Sequence, residues 1–419
     1  MQPAWADVNY KTILWALTGN GNPYVASVDE TLDPGHADSK VRRTAQTIDN
    51  NGNLTVRTES VFGSVGTVAR EYFYATGANY LSRHIRNLVS TVRLSRPGTA
   101  AVHVVTNFYD QYGQAVCGNQ NIYPAPSLTD MPYATVHDSG TFGIAMYVRG
   151  NVTRTVSATG QQQCMSHSTG GVVNKVLDGN GHQVDITADS AKNFAVPSAM
   201  TAGGLTSSPS FDAALNLTQN TGPNGATATF GWDGMKRETS RTLPSGQVIN
   251  HEYGLGQAQG SSWHKVTTGL SPNFRWTKSV FDGFGRTMEV VSGYKVGSTE
   301  TAVSKVVTDT TPCACSPIGK VWKVSLPVGP TVTPVDSQKT IYEYDALGRT
   351  VKVIPPPGNA GFTSYEYGGT TVKTIDPKGK WKKFENDSLG NLVQVTEPFP
   401  GPGSGADFVT TYAYSMFGK

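Results

Sequence analysis

The sequence predicts an all-β chain of tandem hairpins joined into one long, spiralling antiparallel sheet. Three observations predict it. Charged residues make up only 16% of the 419, while Gly (46), Pro (24) and Tyr (18) are abundant, so turn and strand formers outweigh helix formers. Aromatic and aliphatic residues alternate with polar ones, as in Tyr342-Glu343-Tyr344 and Val351-Lys352-Val353, which is the period of a half-buried strand. One turn-centred motif recurs along the chain, the mark of a repeat architecture. An aromatic share of 10% argues against disorder, because a disordered chain lacks residues to bury.

The motif is plainest at Tyr342-Glu343-Tyr344-Asp345-Ala346-Leu347-Gly348-Arg349 and again at Phe384-Glu385-Asn386-Asp387-Ser388-Leu389-Gly390. Weaker copies are Phe281-Asp282 with Gly285-Arg286, Trp232-Asp233, Tyr109-Asp110 with Gly113, Asp49 with Gly52, and Asp178 with Gly181. The intervals Asp212 to Asp233, Asp282 to Asp345 and Asp345 to Asp387 are multiples of 21, which sets a unit of about 20 residues with insertions. Asp at the first and Gly at the fourth position is a type I turn preference. The carboxylate can accept from backbone amides two residues on, and Gly tolerates the positive φ that follows. The aromatic before Asp ends one strand and the residues after Gly begin the next, so each unit is one hairpin. A lone hairpin is marginal in water, and stacking buries a continuous face.

Residues 1–100 read as divergent N-terminal β repeats, with Tyr72, Tyr74 and Tyr80 beside Thr/Val strands. Residues 101–419 read as the motif-bearing array, which stops inside a repeat after Tyr412. Pro-rich stretches at 327–334, 355–358 and 398–405 read as connections between hairpins. No helix of convincing length is expected.

Several function classes find no support. Net charge is +3 and scattered, so no nucleic-acid groove is expected. The lysines at 378, 380, 382 and 383 read as a solvated strand face, with acids at Asp376 and Glu385 beside them. No apolar run is long enough to span a membrane, and no signal peptide opens the chain. Cys117, Cys164, Cys313 and Cys315 are too few for a disulfide-built fold. Cys313-Ala314-Cys315 lacks the usual zinc spacing, and His251-Glu252 lacks the second His of a zinc protease. Ser166-His167-Ser168 reads as a polar loop with no nucleophile elbow. Asp376-Pro377-Lys378-Gly379 reads as a turn. No catalytic residue, cofactor or metal site is expected. The motif aspartates read as turn formers, not calcium ligands, and Trp263, Trp276 and Trp381 as packing between hairpins in preference to sugar stacking.

The eight residues Tyr342–Arg349 resemble the consensus of Tyr-Asp (YD, or Rhs) repeat proteins, the family of bacterial Rhs proteins, toxin-complex shells and teneurins. The weaker copies extend the resemblance over most of residues 40–419, and Asp185–Pro197 resembles an inter-repeat segment. The resemblance implies a hollow β-shell. It implies a secreted or cell-surface setting, with the rest of a parent Rhs protein and an encapsulated C-terminal toxin domain as partners. It also implies an alternative, adhesion through carbohydrate on cell surfaces. No self-cleavage segment and no toxin domain stand in the sequence itself, so toxin enclosure is implied of the parent protein. The expected role is structural and non-catalytic.

Overall fold

The computed structural model describes residues 9–60, 67–114, 125–131, 138–256, 260, 262–313, 316–356, 361–399, 401 and 405–415. The strands form one antiparallel sheet in which neighbours in sequence are neighbours in space. It runs from Tyr10–Leu17, paired with Pro23–Leu32, to Phe408–Thr411, paired with Leu392–Glu397. Among the described residues each of these end strands has a single partner, so the sheet is open. Pairing skips once: Val102–Tyr109 joins Val152–Ser157 directly. In the bypassed segment, Leu128–Thr129 pairs parallel to His167–Ser168. Among the described residues, helix is limited to single turns at Ala78–Leu81 and Ser139–Phe142 and two short 3-10 turns. Tyr80, read as part of the β pattern, lies on the first of these turns and donates its hydroxyl to the Tyr109 carbonyl at 3.1 Å.

One local geometry explains the hairpins. At Asp345, Oδ1 accepts from the amides of Leu347 (3.0 Å) and Arg349 (2.9 Å), and Arg349 Nε donates to Oδ2 at 2.6 Å. The Gly348 amide closes the turn onto the Asp345 carbonyl at 3.0 Å. The same double acceptance by Oδ1 recurs at Asp49, Asp178, Asp212, Asp233, Asp282, Asp376 and Asp387. Oδ2 takes the side chain four residues on, an Arg at Asp233 and Asp282, an Asn at Asp49, Asp212 and Asp387, and a His at Asp178. These bonds favour the ionised carboxylate. The Arg237 amide, then its guanidinium, holds the Asp233 carboxyl below its ordinary value, and the Asn216 side chain does the same for Asp212.

A β-bulge follows six of these turns. Tyr344 faces Thr350 while Glu343 faces Lys352, so Val351 is the extra residue. The same shift follows Asp49, Asp212, Asp233, Asp282 and Asp387. Bulges bend a strand and raise its twist, so each repeat adds curvature. An aromatic of the following unit then reaches back to the carbonyl just past the turn. Tyr74 donates to Leu54, Trp232 to Leu217, Tyr253 to Glu238, Tyr367 to Thr350 and Tyr414 to Leu392, all within 3.0 Å. These bonds satisfy carbonyls beside the irregular pairing.

The turn position after the type I turn is left-handed, with φ +78 at Gly348 but also +61 at Lys236. Side chains pay about 1–2 kcal/mol there. Gly348→Ala is therefore expected to weaken protection of its turn amides by about 1 kcal/mol, and Lys236→Gly to strengthen its own by a similar amount. Hydrogen exchange at neutral pH checks both.

Candidate functional site

The sequence-distant contacts gather at one place, where the turn between Pro23–Leu32 and Lys40–Ile48 meets strands more than 300 residues later. Asp33 is only 6% exposed. Its carboxylate binds the Arg349 guanidinium at 2.7 and 2.9 Å and accepts the Gly369 amide at 2.9 Å. Arg349 thus spans two carboxylates, Asp345 of its own turn and Asp33 of the other coil, with Tyr367 under its face at 4.5 Å. Burial opposes its charge, but the two carboxylates outweigh that and raise its pKa. Nearby, Asp38 accepts Lys383 Nζ at 2.7 Å and the Thr371 hydroxyl at 3.3 Å. The Lys383 ammonium holds the Asp38 carboxyl below the usual range. Lys383 is therefore an inter-coil partner, where the sequence suggested only a solvated face. These contacts make the sheet a spiral, with an early coil resting on a late one.

The two faces of the later sheet differ. Register places Glu252, Lys265, Lys278, Val291 and Lys305 on one face in successive strands, with Trp263 and Trp276. Lys265 Nζ pairs with Glu252 at 3.6 Å and with Glu300 at 2.7 Å. Three strand spacings of about 4.8 Å separate the strands of Lys265 and Glu300, so the sheet curls toward this face. Lys305–Glu289, Lys339–Asp309 and Lys373–Glu366 continue the pairing of charges there. The other face carries Tyr253, Tyr342, Tyr365, Tyr367 and Phe384.

The residues singled out from the sequence do not converge on one point. Asp49, Gly52, Asp233, Asp282, Gly285, Arg286, Asp345, Gly348, Arg349, Asp387 and Gly390 occupy turns spread along the sheet. Trp232, Phe281, Tyr342, Tyr344 and Phe384 lie on the strands leading into them. Tyr344 and Tyr109 donate to carbonyls of the preceding strand, Val321 and Val89. Asp376 is a turn with the same carboxylate geometry as the others. Asp110 departs from the expected hairpin. Its carboxylate accepts the amides of Arg149, Gly150 and Asn151, and the Gly113 amide bonds Pro126, because the pairing strand begins beyond an insertion.

Ser166, His167 and Ser168 also differ from expectation. They form a buried strand, not a loop, since Leu128–Thr129 and Val173–Asp178 flank it. Ser166 Oγ accepts the Ser127 amide at 2.9 Å and is spent on structure. Cys164 beside it is fully buried and disulfide-bonded. Cys117 and Cys315, and the side chain of Cys313, lie outside the described residues. Among the described residues no group of three or more His, Cys, Asp or Glu could hold a metal ion, and no helix is long and apolar enough to cross a membrane. Trp276 is buried at 7% exposure. Lysines 278 and 373 lie over the faces of Trp263 and Trp381, at 4.4 and 5.4 Å. Sequence reasoning missed Asp33 and Asp38, whose only local signal was the Asp33-Pro34-Gly35 turn.

The RHS Repeat family model matches residues 211–248, the stretch that holds the Asp212 and Asp233 turns. The fold is similar to the crystal structure of TcdB2-TccC3, with a TM-score of 0.61 at 11% identity over 98% of this chain and 27% of that one. The crystal structure of TcdB2-TccC3-TEV gives 0.61 at 10% identity, over 97% and 29% respectively. This chain thus spans under a third of the length of either. No curated protein matches it in sequence. An RHS repeat thus stands at residues 211–248, and the fold of the chain is that of a spiralling open β-sheet.

Breaking the inter-coil pair tests the site. Asp33→Ala leaves Arg349 half-partnered and half-buried, and should cost about 2 kcal/mol. Asp38→Ala, at a more exposed pair, should cost under about 1 kcal/mol. Thermal unfolding and exchange of the Gly369 amide report both.

Proposed function

We propose that this chain is a wall segment of a larger β-shell that encloses or displays a polypeptide, and that it performs no chemistry of its own. The observation that carries this reading is the contact between coils. A sheet that winds round and seals against itself through Asp33 and Arg349 has the architecture of a container. The concave stretch has its charges paired with one another, which suits a wall that is wetted and does not grip its contents. The lack of convergence among titratable side chains supports a structural role. The likeness in fold to TcdB2-TccC3 supports a place in a larger assembly, with a C-terminal polypeptide as cargo and a secreted or surface setting. Adhesion through glycans is the weaker reading, because Trp276 is buried and Trp263 and Trp381 lie under lysines.

The test uses the longest protein that carries this segment. Sequence downstream of the repeats should resist limited proteolysis in the intact protein and become sensitive in Asp33→Ala, with no binding on a glycan array. Equal cleavage of the downstream region in wild type and in mild denaturant would overturn the container reading. Specific glycan binding lost on Trp263→Ala would favour adhesion.

A further inference from the structure

His251, on the strand Val248–Gly254, and His264, on the adjacent strand Ser262–Leu270, meet ring to ring. His251 Nδ1 and His264 Nε2 are 3.0 Å apart. The ring centroids are 5.2 Å apart and the planes differ by 9°. Parallel rings at that separation, with facing nitrogens at hydrogen-bond distance, lie end to end and do not overlap. This is an in-plane N–H···N bond. Tyr253 stacks on His264 at 4.7 Å with planes 4° apart. His251 Nε2 lies 3.8 Å from Glu238 Oε1.

We propose that the His251–His264 pair is a proton-sensitive latch that holds this hairpin closed when neutral and releases it on acidification. In the neutral pair, one ring donates its N–H to the lone pair of the other. A proton on Nε2 of both rings satisfies the set, since His264 then donates to His251 while His251 presents its own N–H toward Glu238. One added proton can be shared along the same bond. A second puts N–H against N–H, and the bond becomes a repulsion.

The surroundings resist the second proton. Arg237 lies 4.2 Å from the Tyr253 ring centre, within the same cluster. Among the described residues Glu238 is the carboxylate that faces the pair, and Arg241 already holds both its oxygens, at 3.0 and 2.8 Å. On the other side His264 faces Ser279 and His251 faces Val266, which faces Thr277; none carries charge. Glu252 and Lys265 point to the opposite face of the sheet. Burial, then the electrostatic influence of the neighbouring His251 and Arg237, pushes the His264 pKa down. A histidine whose folded pKa is lowered gives full stability above its unfolded value of about 6.5, and stability falls as pH drops below that. The carboxyls of Asp233 and Asp282, in the turns on either side, are held below their ordinary range, so the two effects separate.

Hydrogen exchange at pH 7.5 and 5.5, corrected for intrinsic rates, tests the latch in the whole chain. The amides of 248–254 and 262–270 should lose protection by about threefold or more at pH 5.5, while the neighbouring Thr227–Trp232 and Glu238–Thr242 hairpin holds. His264→Phe keeps the stacking on Tyr253 and His251→Gln keeps a polar group. His264→Phe should abolish the pH dependence, and His251→Gln should reduce it, because burial and Arg237 still act on His264. Unchanged protection in wild type between the two pH values overturns the proposal, and that comparison needs no variant to fold. A pH dependence that persists undiminished in whichever variant folds overturns it equally.

Discussion

Each regular hairpin depends on a carboxylate held by the backbone that it organises. An Asp at the end of a strand accepts two amides of its own turn, and its second oxygen binds the side chain four residues on. That arrangement fixes the turn and its following bulge before any tertiary contact is made. It also spends the carboxylate, so a chain rich in regularly spaced aspartates offers few of them to a metal or a substrate. The turn-forming role of these aspartates and the scarcity of convergent sites among the described residues have one physical origin.

Growth of the sheet follows from the next step. The bulge disturbs pairing just after the turn, and a Tyr or Trp of the following unit bonds the carbonyl there. At five of the six bulged turns a unit therefore repairs a weakness of the one before it, a nearest-neighbour coupling of the kind repeat proteins rely on. Bulge-driven curvature, accumulated over many units, brings residue 33 back to residue 349. At that point Arg349 acts twice, closing its own turn and joining two coils. The local motif and the global winding meet in one side chain.

This division explains what the sequence could disclose. The Asp-to-Gly turns were legible because every partner lies within four residues, and Asp376 obeys the rule despite its proline. Asp110 was misread because its amide partners lie about 40 residues on, past an insertion. Ser166–Ser168 has the composition of a loop, and only strands paired on both sides make it core. Asp33 and Asp38 find partners over 300 residues away, a closure that no local pattern encodes. The His251–His264 pair depends on a diagonal across two strands, which fixed register reveals and spacing alone does not.

The central claim is that a bulged turn is secured by an aromatic of the next unit, as at five of the six. Tyr367→Phe removes a single hydroxyl that donates to Thr350 at 2.8 Å and leaves the ring in place under Arg349. Native-state hydrogen exchange on this variant should show faster opening in both Thr350–Ile354 and Thr363–Gly368, by about 1 kcal/mol, because the bond joins them. Exchange that changes only within Thr363–Gly368, or in neither strand, would contradict the account.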